Sequence, residues 1–97
     1  GYEVDRRLKE RFEQLGCAQY LMHRTGHNIG HRCHGIGANL DDYETHDDRC
    51  LLPGTMFSIE PGLYTDKYGV RLEYDVHITS EGETKVYGPV QDEILVI

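Results

Sequence analysis

Four histidines fall within twelve positions, at His23, His27, His31 and His34, with glycines inside the run at Gly26 and Gly30 and just after it at Gly35 and Gly37. On a helix those spacings would set all four imidazoles on one face. The glycines argue against a helix, since each costs about 1 kcal/mol relative to alanine in a helix interior. The run predicts short extended pieces joined by glycine bends, with His23, His27 and His31 sharing parity and His34 opposed to them. Imidazole is the commonest metal-ligating side chain and titrates near neutral pH, so the cluster suits a metal site or an acid–base site. A solvated, histidine-rich loop accounts for the spacing equally well. Carboxylates elsewhere in the chain decide between these readings.

The surrounding segments predict one helix followed by antiparallel strands, an α+β order. Val4, Leu8, Phe12 and Leu15 form an amphipathic stripe over Glu3–Leu15 suited to covering a sheet. Glu3 and Asp5 in the first turn and Arg11 near the end suit the helix dipole, and Gly16 is the expected C-terminal stop. Ala18–Met22 is a short apolar lead into the histidines. Residues 35–49 read as a long acidic surface loop, whose spacing does not match a calcium-binding EF-hand. Leu51–Thr55 is turn punctuation, and Met56–Glu60 alternates as a strand until Pro61-Gly62. Leu63-Tyr64 continues it, and 65–69 is a polar turn. Val70–Thr79 alternates over ten positions, with Val70, Leu72, Tyr74, Val76 and Ile78 on one face and Arg71, Glu73, Asp75 and His77 on the other. After a turn at 80–84, Gly88-Pro89 leads to a closing apolar strand over Glu93–Ile97.

At 97 residues the chain is one domain or part of one. A net charge of −7 and the lack of a basic stripe disfavour nucleic acid and anionic membrane surfaces as partners. No apolar run approaches the roughly 20 residues that span a bilayer. Three cysteines, Cys17, Cys33 and Cys50, are odd in number and form no CxxC pair. Reduced thiols in a cytoplasmic protein are expected. Cys33 beside the histidines could serve as a nucleophile, although a small buried apolar role is the plainer expectation.

Two carboxylates stand out by position. Glu60 closes an apolar strand, where an unpartnered charge is expensive to bury. Glu73 lies mid-strand with Arg71 two residues away on the same face. A histidine with two glutamates is a mixed N/O set that Zn, Mn, Co or Fe accepts. On spacing alone, a solvated Arg71–Glu73 pair and a strand-end Glu60 explain the pattern with less.

Three ordered motifs, His23-x-x-Gly26-His27-x-Ile29-Gly30-x-x-x-His34, Phe57-Ser58-Ile59-Glu60-Pro61-Gly62-Leu63-Tyr64 and Gly69-Val70-Arg71-Leu72-Glu73, resemble the metallopeptidases of the pita-bread (creatinase/aminopeptidase) fold. That family includes methionine aminopeptidase, aminopeptidase P and prolidase, and His23 resembles the Xaa-Pro-cleaving branch. The resemblance implies that His27, Glu60 and Glu73 are metal ligands in a site for two divalent ions, Mn, Co, Zn or Fe. It implies that Glu60 also moves protons, that His34 and His23 act on the substrate, and that Arg71 and Tyr64 orient the ligands. His31, His46 and His77 match no functional position.

By the same resemblance, residues 1–97 are the C-terminal half of a catalytic domain, one helix packed on a curved antiparallel sheet. Two further aspartate ligands would come from a preceding half, for which Asp41, Asp42, Asp47 and Asp48 are poor substitutes. The chain alone is therefore expected to be an inactive half-site and to self-associate as a homodimer. Asn28 stands where the family commonly has glycine, Gly35-Ile36-Gly37 where a glutamate-proline stretch is common, and Tyr74 where aspartate is usual. The implied function is Xaa-Pro peptide hydrolysis, as a dipeptidase or aminopeptidase. Retention of all three ligands weighs against the alternative, a non-catalytic binding member of the fold. A mononuclear zinc module of His23, His27 and His34 is the remaining reading.

Overall fold

Helical spacing of Val4, Leu8 and Phe12 sets the first element, α1, over Tyr2–Gln14 in the computed structural model, which describes residues 1–94 and 96–97. Gly16 ends it at φ 70°, a conformation that costs glycine little. Gly16 N–H then reaches Glu13 O and Cys17 N–H reaches Phe12 O, both at 3.0 Å, the paired C-terminal bonds of a Schellman motif. The apolar stripe is only partly covered: Leu8 and Phe12 are half-buried, while Leu15 is 60% exposed. Val4 reaches an apolar groove that it shares with Leu40, Phe57 and Val76. The buried residue of α1 is Asp5, whose role goes beyond complementing the helix dipole. Its Oδ1 accepts from Thr25 N (2.8 Å) and Thr25 Oγ1 (2.5 Å), and its Oδ2 accepts from Asp42 N (2.6 Å). This carboxylate ties the helix to the histidine run at Thr25 and to the acidic stretch at Asp42.

A 3₁₀ turn (Ala18–Tyr20) follows, then β1 (Asn28–Ile29), β2 (Met56–Ile59), β3 (Gly62–Tyr64), β4 (Gly69–Arg71), β5 (Tyr74–Ile78) and β6 (Thr84–Tyr87). Strands β1, β2, β5 and β6 form one antiparallel sheet in that order, and β3 pairs with β4. The α+β expectation holds. No described helix is long and apolar enough to cross a membrane.

The ten-residue strand expected over Val70–Thr79 is interrupted at Leu72 and Glu73. The cause lies on the partner strand, where Pro61 has no N–H to donate. Register is the same on both sides of the gap: Ile59 faces Tyr74 and Gly62 faces Arg71. Continuing it sets Pro61 opposite Leu72, and Glu60 opposite Glu73.

The acidic stretch 35–49 contains no helix or strand, but much of it is interior rather than surface. Leu40 is 2% exposed and pairs with Gly26, and Asp41 is fully buried. Asp41 Oδ1 accepts from the backbone N–H of Tyr43, Glu44 and Thr45, so the acid builds its own turn. Four apolar side chains, Ala38, Leu40, Phe57 and Val76, are buried beside eight polar ones. Hydrogen bonding therefore carries much of the interior, and among the described residues no buried side-chain nitrogen or oxygen lacks a partner.

Among the described residues the last strand is β6, paired with β5, instead of the expected one over Glu93–Ile97. Gly88 at φ 100° and Pro89 end the ladder, and beyond them Glu93, Ile94, Val96 and Ile97 form no strand. Leu95 lies outside the described residues. Apolar composition alone orders no strand without a backbone partner.

Candidate functional site

The histidine run is extended and glycine-bent as expected, and its first half is locked to β2. Ser58 N donates to His27 O at 2.9 Å, and Glu60 N to Thr25 O at 2.8 Å. His27 N donates to Ser58 Oγ (3.0 Å), and Ser58 Oγ donates to Glu60 Oε1 (3.0 Å). Buried His27 thereby sits with Nε2 3.1 Å from Glu60 Oε1, while its Nδ1 lies 3.1 Å from Asn28 O. A neutral imidazole has one N–H, and here it faces two acceptors.

The shared register sets two like charges, Glu60 and Glu73, opposite each other. Carboxylates directly opposite on paired strands repel unless a cation stands between them. Arg71 answers this charge, with NH1 3.5 Å from Glu60 Oε2 and NH2 3.7 Å from Glu73 Oε2. It thus stands within ion-pair distance of both glutamates. His27 and Glu60 are adjacent, whereas Glu73 stands across Arg71, half exposed. Among the described residues His27, Glu60 and Glu73 do not all converge within 4.8 Å.

Tyr64 acts elsewhere than on these ligands. Its hydroxyl lies 2.9 Å from His23 Nε2, whose Nδ1 is 2.7 Å from Arg24 O. His23 is occupied there, so a His23–His27–His34 module is not assembled. The expectation that His34 is opposed to His27 fails, because the bends between Gly30 and Gly37 fold its exposed ring to 4.3 Å from that of His27. Cys33 is exposed rather than buried, and Cys17, Cys33 and Cys50 are all free. His31 is exposed, His46 Nδ1 pairs with Asp42 at 2.6 Å, and His77 faces Tyr87, all outside the site.

An open pocket lined by His23, Arg24, His27, His34, Glu44, Glu60 and Arg71 joins these groups. Arg24 and Glu44 were not evident as site residues. Arg24 NH1 bridges Asp41 Oδ2 (3.4 Å) and Glu44 Oε2 (3.5 Å), so the acidic stretch walls one side of the pocket. Ser58 and Asn28 were also missed, since one partner of each, His27 and Met56 respectively, lies about thirty positions away in the chain. The remaining acids are committed elsewhere. His46, and after it Arg6, hold the Asp42 carboxyl below its ordinary range, and Arg49 does the same for Asp47.

The profile of Metallopeptidase family M24 matches residues 1–80. The chain belongs to metallopeptidase family M24. It is 36% identical over 86 residues to a probable dipeptidase PepE of Mycobacterium tuberculosis, covering 87% of this chain and 22% of that protein. An Xaa-Pro dipeptidase of Pyrococcus furiosus is 32% identical over 85 residues, covering 87% and 23%. Among solved structures, an Xaa-Pro dipeptidase from Bacillus anthracis superposes with TM-score 0.81 at 32% identity, covering 99% of this chain and 26% of that one. The dipeptidase PepE of Mycobacterium ulcerans gives 0.82 at 29%, covering 97% and 24%. The M24 chain thus spans about a quarter or less of the relatives it matches, and it shares their pita-bread architecture over that span.

Membership of a metallopeptidase family makes metal dependence the relevant chemistry, and the donors here fit it. His27 offers a ring nitrogen 3.1 Å from Glu60 Oε1, and two opposed glutamates supply oxygen donors, a mixed N/O set that divalent cations accept. Ser58, Asn28 and Arg71 are the neighbours that would hold such ligands in place.

Proposed function

We propose that this M24 chain supplies part of the active site of a dinuclear metallopeptidase that cleaves Xaa-Pro bonds, as a dipeptidase or aminopeptidase. His27, Glu60 and Glu73 would hold divalent ions, with Mn, Co, Zn and Fe all compatible with this donor set. The observation that carries the reading is the buried His27–Glu60 contact at 3.1 Å, two metal-ligating groups pressed together and braced by Ser58. The names of the relatives support the substrate class.

Bound divalent ions would supply an activated water and polarise the scissile carbonyl near neutral pH. The chain's own residues would do the rest. Glu60 carries a proton between water and leaving amine, its Oε1 oriented by Ser58. His34, exposed beside His27, stabilises negative charge developing on the substrate carbonyl oxygen. His23, steadied by Tyr64, lines the same pocket and positions the peptide. Arg71 keeps the two glutamates in register. The remaining aspartate ligands have no counterpart among Asp41, Asp42 and Asp47, so the 97-residue chain alone should bind metal weakly and hydrolyse nothing appreciable. The peptide is the expected partner, together with a second copy of the chain in a homodimer.

Calorimetric titration with Mn²⁺ tests this reading. Weak binding to the unaltered chain, abolished by Glu60→Gln and weakened by Glu73→Ala, is expected. Binding that survives Glu60→Gln unchanged would overturn it.

A further inference from the structure

A second set of donors, which includes sulfur, stands beside the His27–Glu60 pair. One ligating atom from each of His27, Cys33 and His34 lies within 4.8 Å of the other two. Among the described residues no other three histidine, cysteine or acidic side chains come so close together. We propose that these three form a site for a thiophilic divalent ion, Zn²⁺ or its analogues Co²⁺ and Cd²⁺, which shares His27 with the glutamate-based set but adds a thiolate to it.

Geometry and mobility both favour such a site. With Zn–S near about 2.3 Å and Zn–N near about 2.0–2.1 Å, tetrahedral donors stand roughly 3.5 Å apart. The three atoms therefore need to close by on the order of 1 Å. His27 is the fixed member: its main chain is held by Ser58 and its ring is buried. Cys33 and His34 are exposed on the bends between Gly30 and Gly37, so turning their side chains closes the site without disturbing the core. Three protein ligands leave a fourth position open to water or to a small ligand.

Donor chemistry then separates the two sets. Thiolate with imidazole selects zinc-like ions, whereas the Glu60–Glu73 pair suits harder, oxygen-seeking ions such as Mn²⁺. His27 belongs to both. An ion held by His27, Cys33 and His34 occupies the imidazole that the glutamate-based set would also use, so thiophilic and hard ions compete. The competition rests on the peptidase reading, but the sulfur-containing site itself does not.

Co²⁺ titration of the intact chain, followed by absorption, reads the site directly through its sulfur-to-cobalt charge-transfer band. The band is expected to saturate at one ion per chain, to vanish in Cys33→Ser and His34→Ala, and to persist in Glu73→Ala and in Cys17→Ser/Cys50→Ser. Excess Mn²⁺ should diminish it. Cys33 is exposed, so Cys33→Ser should keep the unaltered circular-dichroism spectrum. No band in the unaltered chain, or a band that survives Cys33→Ser, would overturn the site. Cobalt binding without the band, lost in Glu60→Gln, would overturn this inference and leave the peptidase reading standing. A chain that binds neither Co²⁺ nor Mn²⁺ would overturn both.

Discussion

Asn28 shows how a departure from a family pattern can be a coupled set rather than a single change. Its buried amide donates from Nδ2 to Met56 O (3.2 Å) and accepts at Oδ1 from Gly37 N (3.1 Å). A Cβ on Gly37 would stand 2.7 Å from Asn28 Cγ, and one on Gly35 would collide with Asn28 Oδ1. The residue that replaces a glycine at 28 therefore needs glycines at 35 and 37, and the two motif departures are one packing solution. Gly37→Ala is expected to destabilise the chain by roughly 1–3 kcal/mol through overpacking. The cost should shrink in an Asn28→Gly background, giving a coupling on the order of 1 kcal/mol by urea denaturation. Additive effects would mean that the glycines serve some other purpose. None of this was legible in the sequence. Glu60 stood out because a charge closing an apolar strand demands a partner, and His27 because it lies in a run of four histidines. Asn28, Ser58 and Asp5 look ordinary until the chain folds, since each acts on a residue nine to thirty-seven positions away.

At the scale of elements, alternation identified β5 and the Gly16 stop identified the end of α1. The interruption at Leu72–Glu73 stayed hidden because its cause, Pro61, lies on the opposite strand. The stretch 35–49 stayed hidden for another reason: its acids look solvated but are structural. Asp47, largely buried, accepts from Arg49 Nε at 2.9 Å and NH2 at 2.6 Å and from Asn39 N at 2.8 Å. Arg49 first, and then these backbone donors, hold its carboxyl well below the usual range. A pKa lowered by folding adds stability that is fully present above the unfolded value, about 3.9, and is lost as pH falls below it. Asp47→Asn should therefore flatten the loss of stability below about pH 4. At neutral pH it should cost about 1 kcal/mol, a modest figure because Arg49 is half exposed. Urea midpoints at pH 7 and pH 3 check this, and parallel losses in variant and parent would contradict it.

At the scale of the molecule, the helix-then-strands order was legible, but which faces find cover was not. A compact monomer of this mass exposes about 5,700 Å², whereas this chain exposes 7304 Å². Its radius of gyration is 14.1 Å, against about 12.5 Å for a compact domain of this length. The excess of roughly 1,600 Å² is about twice what one partner gives to an interface of standard size. Part of it is the tail, where Val90 is 72% and Ile94 88% exposed. Another part surrounds the open groove where Val4 meets Leu40, Leu51, Phe57, Ile59, Val76 and Ile78. Such a surface favours pairing with a second copy, while the net charge of −7 opposes it. Self-association should therefore strengthen as salt screens that repulsion, the reverse of an association driven by ion pairs. Sedimentation equilibrium at low and high salt reads the sign. Val4→Glu, which places a charge at the groove on a residue already 37% exposed, should shift the chain toward monomer without unfolding it. A chain that stays monomeric at high micromolar concentration in both salts would overturn the homodimer.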